Sequence, residues 1–120
     1  MRTIIVGGGL SGLALAETLT AKGHDYILIE ARGRLGGRIL TEHYVDAGFD
    51  LGPAWFWQGQ PRIAALIERL GLHTFEQYGQ GDVLLEDAQG NVQRGRGFSS
   101  MEGSLRLPGG LGVLIQALTA

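Results

Sequence analysis

Cysteine is absent from the 120 residues. Disulfides, thiolate nucleophiles and cysteine-based metal sites are thereby excluded. A surplus of one charge is lacking too. Ten Lys and Arg against twelve Asp and Glu leave a net charge of −2, which gives no electrostatic case for nucleic acid or for an anionic membrane surface. No run reaches the ~20 apolar residues that span a bilayer. His24, His43 and His73 are scattered without ligand spacing and read as surface or structural residues, so no metal site is expected. Asp46 and Asp50 flank Gly48, but with no His or Cys cluster nearby they fit turn and strand-end roles better than acid–base chemistry. Ser99 and Ser100 lack both a positioned histidine and a strand–turn–helix elbow, which excludes a serine nucleophile.

What is abundant is glycine: 21 residues, well above the usual ~7% share and without a collagen-like period. A composition 44% hydrophobic and 18% charged is that of a globular domain. At this length a single domain over residues 1–120 is expected, burying about 65% of its unfolded surface. Arg2 followed by the apolar run Ile4 to Ala16 superficially resembles a signal peptide. Four glycines interrupt that run and no small-residue cleavage site is clear. The expectation is a soluble, cytoplasmic protein.

The most informative stretch is Thr3-Ile4-Ile5-Val6-Gly7-Gly8-Gly9-Leu10-Ser11-Gly12-Leu13. It reads as a buried strand, a glycine turn and the start of a helix, with Gly7, Gly9 and Gly12 in the G-x-G-x-x-G positions. In that pattern the first glycine permits a tight turn, the second lets backbone approach a pyrophosphate, and the third lets helix and strand pack closely. Apolar residues at helical spacing run from Leu10 to Lys22, and Gly23 stops the helix. A second strand, Tyr26 to Glu30, ends in an acid placed to bind ribose hydroxyls. Dense apolar character suggests that the strand over residues 2–6 is central and covered on both faces. The segment Ala31-Arg32-Gly33-Arg34-Leu35-Gly36-Gly37-Arg38 follows directly and reads as a second phosphate-binding element. Gly36 and Gly37 would offer backbone N–H groups, and Arg38 its planar fork.

Taken together, the glycine turn and Glu30-Ala31-Arg32-x-Arg34-Leu35-Gly36-Gly37-Arg38 strongly resemble the flavin-containing amine oxidases. That family includes monoamine and polyamine oxidases and is related to protoporphyrinogen oxidase and phytoene desaturase. Asp50-Leu51-Gly52-Pro53-Ala54-Trp55 continues the resemblance, as does Arg106-Leu107-Pro108-Gly109-Gly110-Leu111-Gly112-x-Leu114. The resemblance implies FAD as cofactor. It implies that Gly7, Gly9, Leu10, Ser11 and Gly12 face the pyrophosphate, with Glu30, Ala31 and Arg32 on the adenosine side. Gly36, Gly37 and Arg38 would lie against phosphate, and Gly52, Pro53, Ala54 and Trp55 near the isoalloxazine. A flavin tethered through cysteine is excluded within this chain.

Further on, residues 61–70 predict an amphipathic helix, residues 82–86 and 91–94 a β-hairpin, and Gly110 onward a final helix. Residues 97–106 show no clear period. The fold class expected is α/β: a partial Rossmann-like βαβ unit followed by a helix, a β-hairpin and a C-terminal helix. By the resemblance, residues 72–106 border a substrate-side region. Two parallel strands cannot complete a doubly wound sheet. The lysine that family members place by the flavin is absent as well, since Lys22 is the only lysine and lies on the crossover helix. The expectation is therefore the FAD-binding portion or a split subunit of an amine-oxidase-like oxidoreductase, with a homo-oligomer or a complementing C-terminal subunit as partner. The alternative is a non-catalytic module binding FAD, NAD or ADP. NADP is disfavoured, because Glu30 would repel a 2′-phosphate.

Overall fold

The computed structural model describes residues 2–95 and 101–120. The expectations for Ser99 and Ser100, and the first four residues of the 97–106 stretch, lie outside the described residues. The chain begins with β1 (Thr3–Val6), α1 (Leu10–Ala21) and β2 (Tyr26–Ile29). β1 and β2 pair in parallel, Ile4 beside Ile27 and Val6 beside Ile29, so α1 is the crossover of a βαβ unit. Its C-terminus follows the expected chemistry, with Gly23 in the left-handed region at φ 68°.

Burial of the pair differs from expectation. Ile5 is covered by α1, but Ile4, Val6, Ile27 and Ile29 are 61%, 85%, 40% and 52% exposed. These four share one face because side chains alternate along a strand and paired residues are neighbours. The apolar run is dense on both faces, yet the described residues supply a covering layer for only one.

An antiparallel hairpin follows, β3 (Thr41–Tyr44) and β4 (Ala47–Asp50). Its register, Tyr44 opposite Ala47, leaves Val45-Asp46 as a two-residue loop, with Val45 at φ 54°. Next come β5 (Phe56–Trp57), α2 (Pro61–Arg69) and β6 (Phe75–Glu76), then the hairpin β7 (Val83–Glu86) and β8 (Val92–Gly95). The turn of that second hairpin is built by Asp87, whose carboxylate accepts the N–H groups of Gln89 and Asn91. The chain closes with β9 (Ser104–Arg106) and α3 (Gly112–Thr119). β9 is the centre of a three-stranded antiparallel sheet ordered β5-β9-β6.

One core joins these elements. Leu13 of α1, Ile39, Phe56 of β5, Leu66 and Ile67 of α2, and Leu107, Leu111, Leu114 and Ile115 around α3 form a single buried cluster. α1 thus lies between the β1–β2 pair and α3, which explains a helix apolar on more than one side. Arg69 grips Glu17 with both prongs, Nε to Oε1 at 3.0 Å and Nη2 to Oε2 at 2.8 Å, fastening α2 to α1. The hairpin β7–β8 carries Leu84, Leu85 and Val92 in exposed positions.

Candidate dinucleotide-binding site

The glycine turn sits between the end of β1 and the first turn of α1. Gly7 adopts φ 100°, a conformation that costs a residue with a Cβ, and its N–H donates to the Ile29 carbonyl at 2.7 Å. A Cβ on Gly12 would run into the Gly7 carbonyl oxygen, so helix and strand meet at this distance only through glycine. α1 begins after Gly9 with no side-chain cap and no acid in its first turn. The first intrahelical donor is Leu13, whose N–H reaches the Gly9 carbonyl. The N–H groups of Leu10, Ser11 and Gly12 are the open end of the helix, where the dipole favours an anion.

The basic loop folds back onto this turn. Gly9 and Gly36 form a parallel bridge, and the Gly36 N–H donates to the Gly8 carbonyl at 2.8 Å. Gly36 and Gly37 have φ of 101° and 61°. A Cβ on Gly37 would stand 3.2 Å from the Gly9 Cα, so the two glycine segments pass backbone against backbone. Glu30, just beyond β2, closes the ring: Oε2 accepts the Gly8 N–H at 2.7 Å and Oε1 the Arg32 N–H at 2.9 Å. The Arg32 amide, and next the Gly8 amide, hold this carboxyl below the usual carboxylate range.

These segments line one groove of about 890 Å³. Its lining gathers Gly7, Gly9, Leu10, Ser11 and Gly12 from the glycine turn, Glu30, Ala31 and Arg32 from the end of β2, Gly36, Gly37 and Arg38 from the basic loop, and Pro53. A second, more apolar cavity of about 580 Å³ shares Leu10, Ile39 and Pro53 with the groove and adds Trp55, Phe56, Ile63 and Leu111. Of the residues expected near the ring, Pro53 lines both cavities and Trp55 the second. Gly52 and Ala54 line neither. Gly52 presses on the Arg38 carbonyl, where a Cβ would collide, and Ala54 is buried.

Several contributors escape a motif reading. Gly8 is as constrained as its neighbours, since a Cβ there would strike Leu35 Cδ2 and approach Glu30. The three-glycine run was the available signal. Arg34 does not face the groove; its Nη2 donates to the Gly37 carbonyl at 2.9 Å and its Nη1 to the Leu35 and Ile39 carbonyls. It clamps the loop that presents Arg38. Among the described residues, no group of three or more His, Asp or Glu could hold a metal ion, and no helix is long and apolar enough to cross a membrane.

Comparison with known proteins agrees with this fold. The profile of the NAD(P)-binding Rossmann-like domain matches residues 5–70. The chain is 33% identical to putrescine oxidase of Kocuria rosea over 104 residues, covering 85% of this chain and 22% of that protein. It is 36% identical over 78 residues to a flavin-containing monoamine oxidase of Mycobacterium tuberculosis, covering 65% and 17% respectively. The solved structure of putrescine oxidase bound to putrescine superposes with a TM-score of 0.71 at 36% identity, over 81% of this chain and 22% of that one. The chain thus spans about a fifth of the length of these relatives. It belongs to the NAD(P)-binding Rossmann-like domain family, in its flavin-containing amine oxidase branch.

Proposed function

We propose that this chain is the FAD-binding portion of an amine-oxidase-like, flavin-dependent oxidoreductase. The observation that carries the reading is that two cavities adjoin, sharing Leu10, Ile39 and Pro53 in their linings. An amide- and arginine-lined groove suits adenosine diphosphate, and the adjoining apolar cavity beside Trp55 suits a flat ring system. In this reading the open N–H groups of Leu10, Ser11 and Gly12 and the Gly7 and Gly9 backbone take the pyrophosphate. Glu30 takes ribose hydroxyls, with Ala31 and Arg32 along the adenosine. Gly36, Gly37 and Arg38 also lie against the phosphates, and Pro53 and Trp55, which line the apolar cavity, border the ring, Gly52 and Ala54 belonging to the same segment. The fit is supported by the close glycine passage at Gly9 and Gly37, which leaves backbone rather than side chains facing the groove.

When bound, a flavin supplies acceptance of a hydride from a C–N or C–C bond. The residues of this chain bind it, orient it and screen it from water. Amines are the substrate class we infer for the complete protein, in keeping with the names of the relatives. The exposed face of Ile4, Val6, Ile27 and Ile29 supports a complementing C-terminal segment or a second copy as partner.

The test is the visible spectrum and bound-ligand mass of the purified chain, followed by titration with FAD. Binding that strengthens when the C-terminal part of a longer relative is supplied is the expected result. Ligand at about 100 times its dissociation constant should add ~2.7 kcal/mol of stability. A colourless chain that neither holds nucleotide nor gains stability with FAD overturns the reading. A second reading, a nucleotide-binding module without catalysis, is favoured by the gathering of Gly7, Gly9, Gly12, Glu30 and Arg38 around one groove. Tight one-to-one binding of ADP with no gain from a complementing segment would select it.

A further inference from the structure

Two parts of the apolar cavity's lining come from distant stretches of the chain. Pro53 and Trp55 follow β4, whereas Leu111 stands at the entrance to α3. One carboxylate joins them. The side chain of Asp50, the last residue of β4, is 1% exposed. Its Oδ1 accepts the Leu111 N–H at 2.9 Å and the Thr41 hydroxyl, and its Oδ2 faces Arg106 Nη2 at 3.4 Å. Thr41 Oγ1 in turn accepts the Gly112 N–H at 2.8 Å. Asp50 and Thr41 together cap α3 from another element. Neighbouring glycines make room for this: a Cβ on Gly110 would stand 2.7 Å from Asp50 Oδ1, and one on Gly112 2.8 Å from Thr41 Oγ1. On its other side Asp50 is followed by Leu51, whose N–H reaches the Leu40 carbonyl at 2.8 Å, and by Gly52 against Arg38.

We propose that Asp50 is a positioning residue for the ring half of the bound dinucleotide. It lines neither cavity, and it acts by setting Pro53 and Trp55 relative to Leu111. The phosphate and ribose half is held by other means, namely the β1–β2 pairing, the Gly9–Gly36 bridge and the Glu30 bonds. Asp50 should therefore matter for FAD and hardly for ADP. A residue that only stabilised the fold would affect both alike. The proposal rests on the FAD reading above.

The test is Asp50→Asn, which keeps the shape and removes the charge, with FAD and ADP titrated calorimetrically well below the melting temperature. The loss of a charge-assisted bond to a backbone amide should weaken FAD about tenfold while ADP changes less than about twofold. In amide NMR spectra the resonances of Ala54, Trp55 and Leu111 should move while those of Gly7 to Gly12 stay. Equal losses for both ligands, or an unchanged FAD affinity, overturn the proposal. If the unaltered chain binds neither nucleotide, the FAD reading falls, and the NMR pattern alone decides whether Asp50 sets these two parts of the lining; unmoved Trp55 and Leu111 resonances overturn it. Should Asp50→Asn not fold, Thr41→Val removes the hydroxyl's bonds to Asp50 and to the Gly112 amide, keeps the carboxylate and carries the same two readouts.

Discussion

Glu30 accepts the Gly8 N–H through one carboxylate oxygen and the Arg32 N–H through the other, at 2.7 and 2.9 Å. The end of β2 is thereby tied to the glycine turn and to the basic loop before any ligand arrives. Each oxygen keeps a lone pair for a ribose hydroxyl. Glu30→Ala removes both functions and leaves the Gly8 amide without its acceptor. ADP affinity should drop about 10- to 100-fold, the range for hydrogen bonds to a charged group. Calorimetric titration measures this, and an unchanged affinity would place the ribose elsewhere.

The same carboxylate makes stability depend on pH. Glu30 is held below the usual range by the Arg32 and Gly8 amides, and Asp87 by the Asn91 side chain and backbone N–H. A lowered native pKa means that the unfolded chain binds protons first as the solution is acidified. The stabilisation is complete above the ordinary carboxylate range near pH 4 and is lost as pH falls through the lower native values. Urea midpoints measured from neutral pH downward should decline across that window. Glu30→Gln should flatten the part due to Glu30.

Two glycines set a contrast. Gly12→Ala would drive a Cβ into the Gly7 carbonyl, whereas Gly33 has open space and an ordinary φ. The first should cost about 1–3 kcal/mol by forcing α1 away from β1, and should weaken nucleotide binding with it. Gly33→Ala should be neutral or stabilise by about 0.4–1 kcal/mol through the unfolded chain. Thermal unfolding of the two variants tests the pair.

Val45 occupies φ 54° in the two-residue loop between β3 and β4, where a β-branched residue is strained, and its side chain is 81% exposed. Val45→Gly relieves that strain, worth about 1–3 kcal/mol, against a glycine entropy cost of about 0.5–1 kcal/mol. A net gain of about 1 kcal/mol in denaturant unfolding is expected. A loss would show that the loop relaxes in solution.

Leu114 is fully buried where α3 enters the core. Leu114→Ala should cost about 2–5 kcal/mol, the transfer term plus the cavity left behind. Circular dichroism during thermal unfolding would register it as a large fall in midpoint.

The parts of this fold that are legible in the residue order are those with a local cause. Glycines at 7, 9 and 12, helical spacing over Leu10–Ala21 and an acid after Tyr26–Ile29 suffice for the βαβ unit. The hairpin of β3 and β4 leaves little trace, because Thr-Glu-His-Tyr does not alternate and Val45-Asp46 is no standard hairpin dipeptide. β5, β6 and β9 are two or three residues long, too short for any period to show. The exposure of Ile4 and Val6 departs from the sequence expectation for another reason. Sequence density reports which faces are apolar, not whether a neighbour is present to cover them. In the groove, Glu30 and the Gly36–Arg38 loop follow from motif spacing. Arg34 looks the same as its neighbouring arginines on paper, and only the folded loop turns it inward to carbonyls. Asp50 finds its amide partner 61 residues away, a distance at which local pattern carries no information.

That same cap has a consequence for the order of assembly. β1, α1 and β2 are complete by residue 29, so the glycine turn can form early from near-neighbour contacts, which close quickly. The Asp50 carboxylate must wait for Leu111, which is synthesised 61 residues later. Until it emerges, the acid stays in water without its amide partner, and the apolar cavity lacks Leu111 from its lining. The adenosine half of the groove is thus an early product of synthesis, and the ring half a late one.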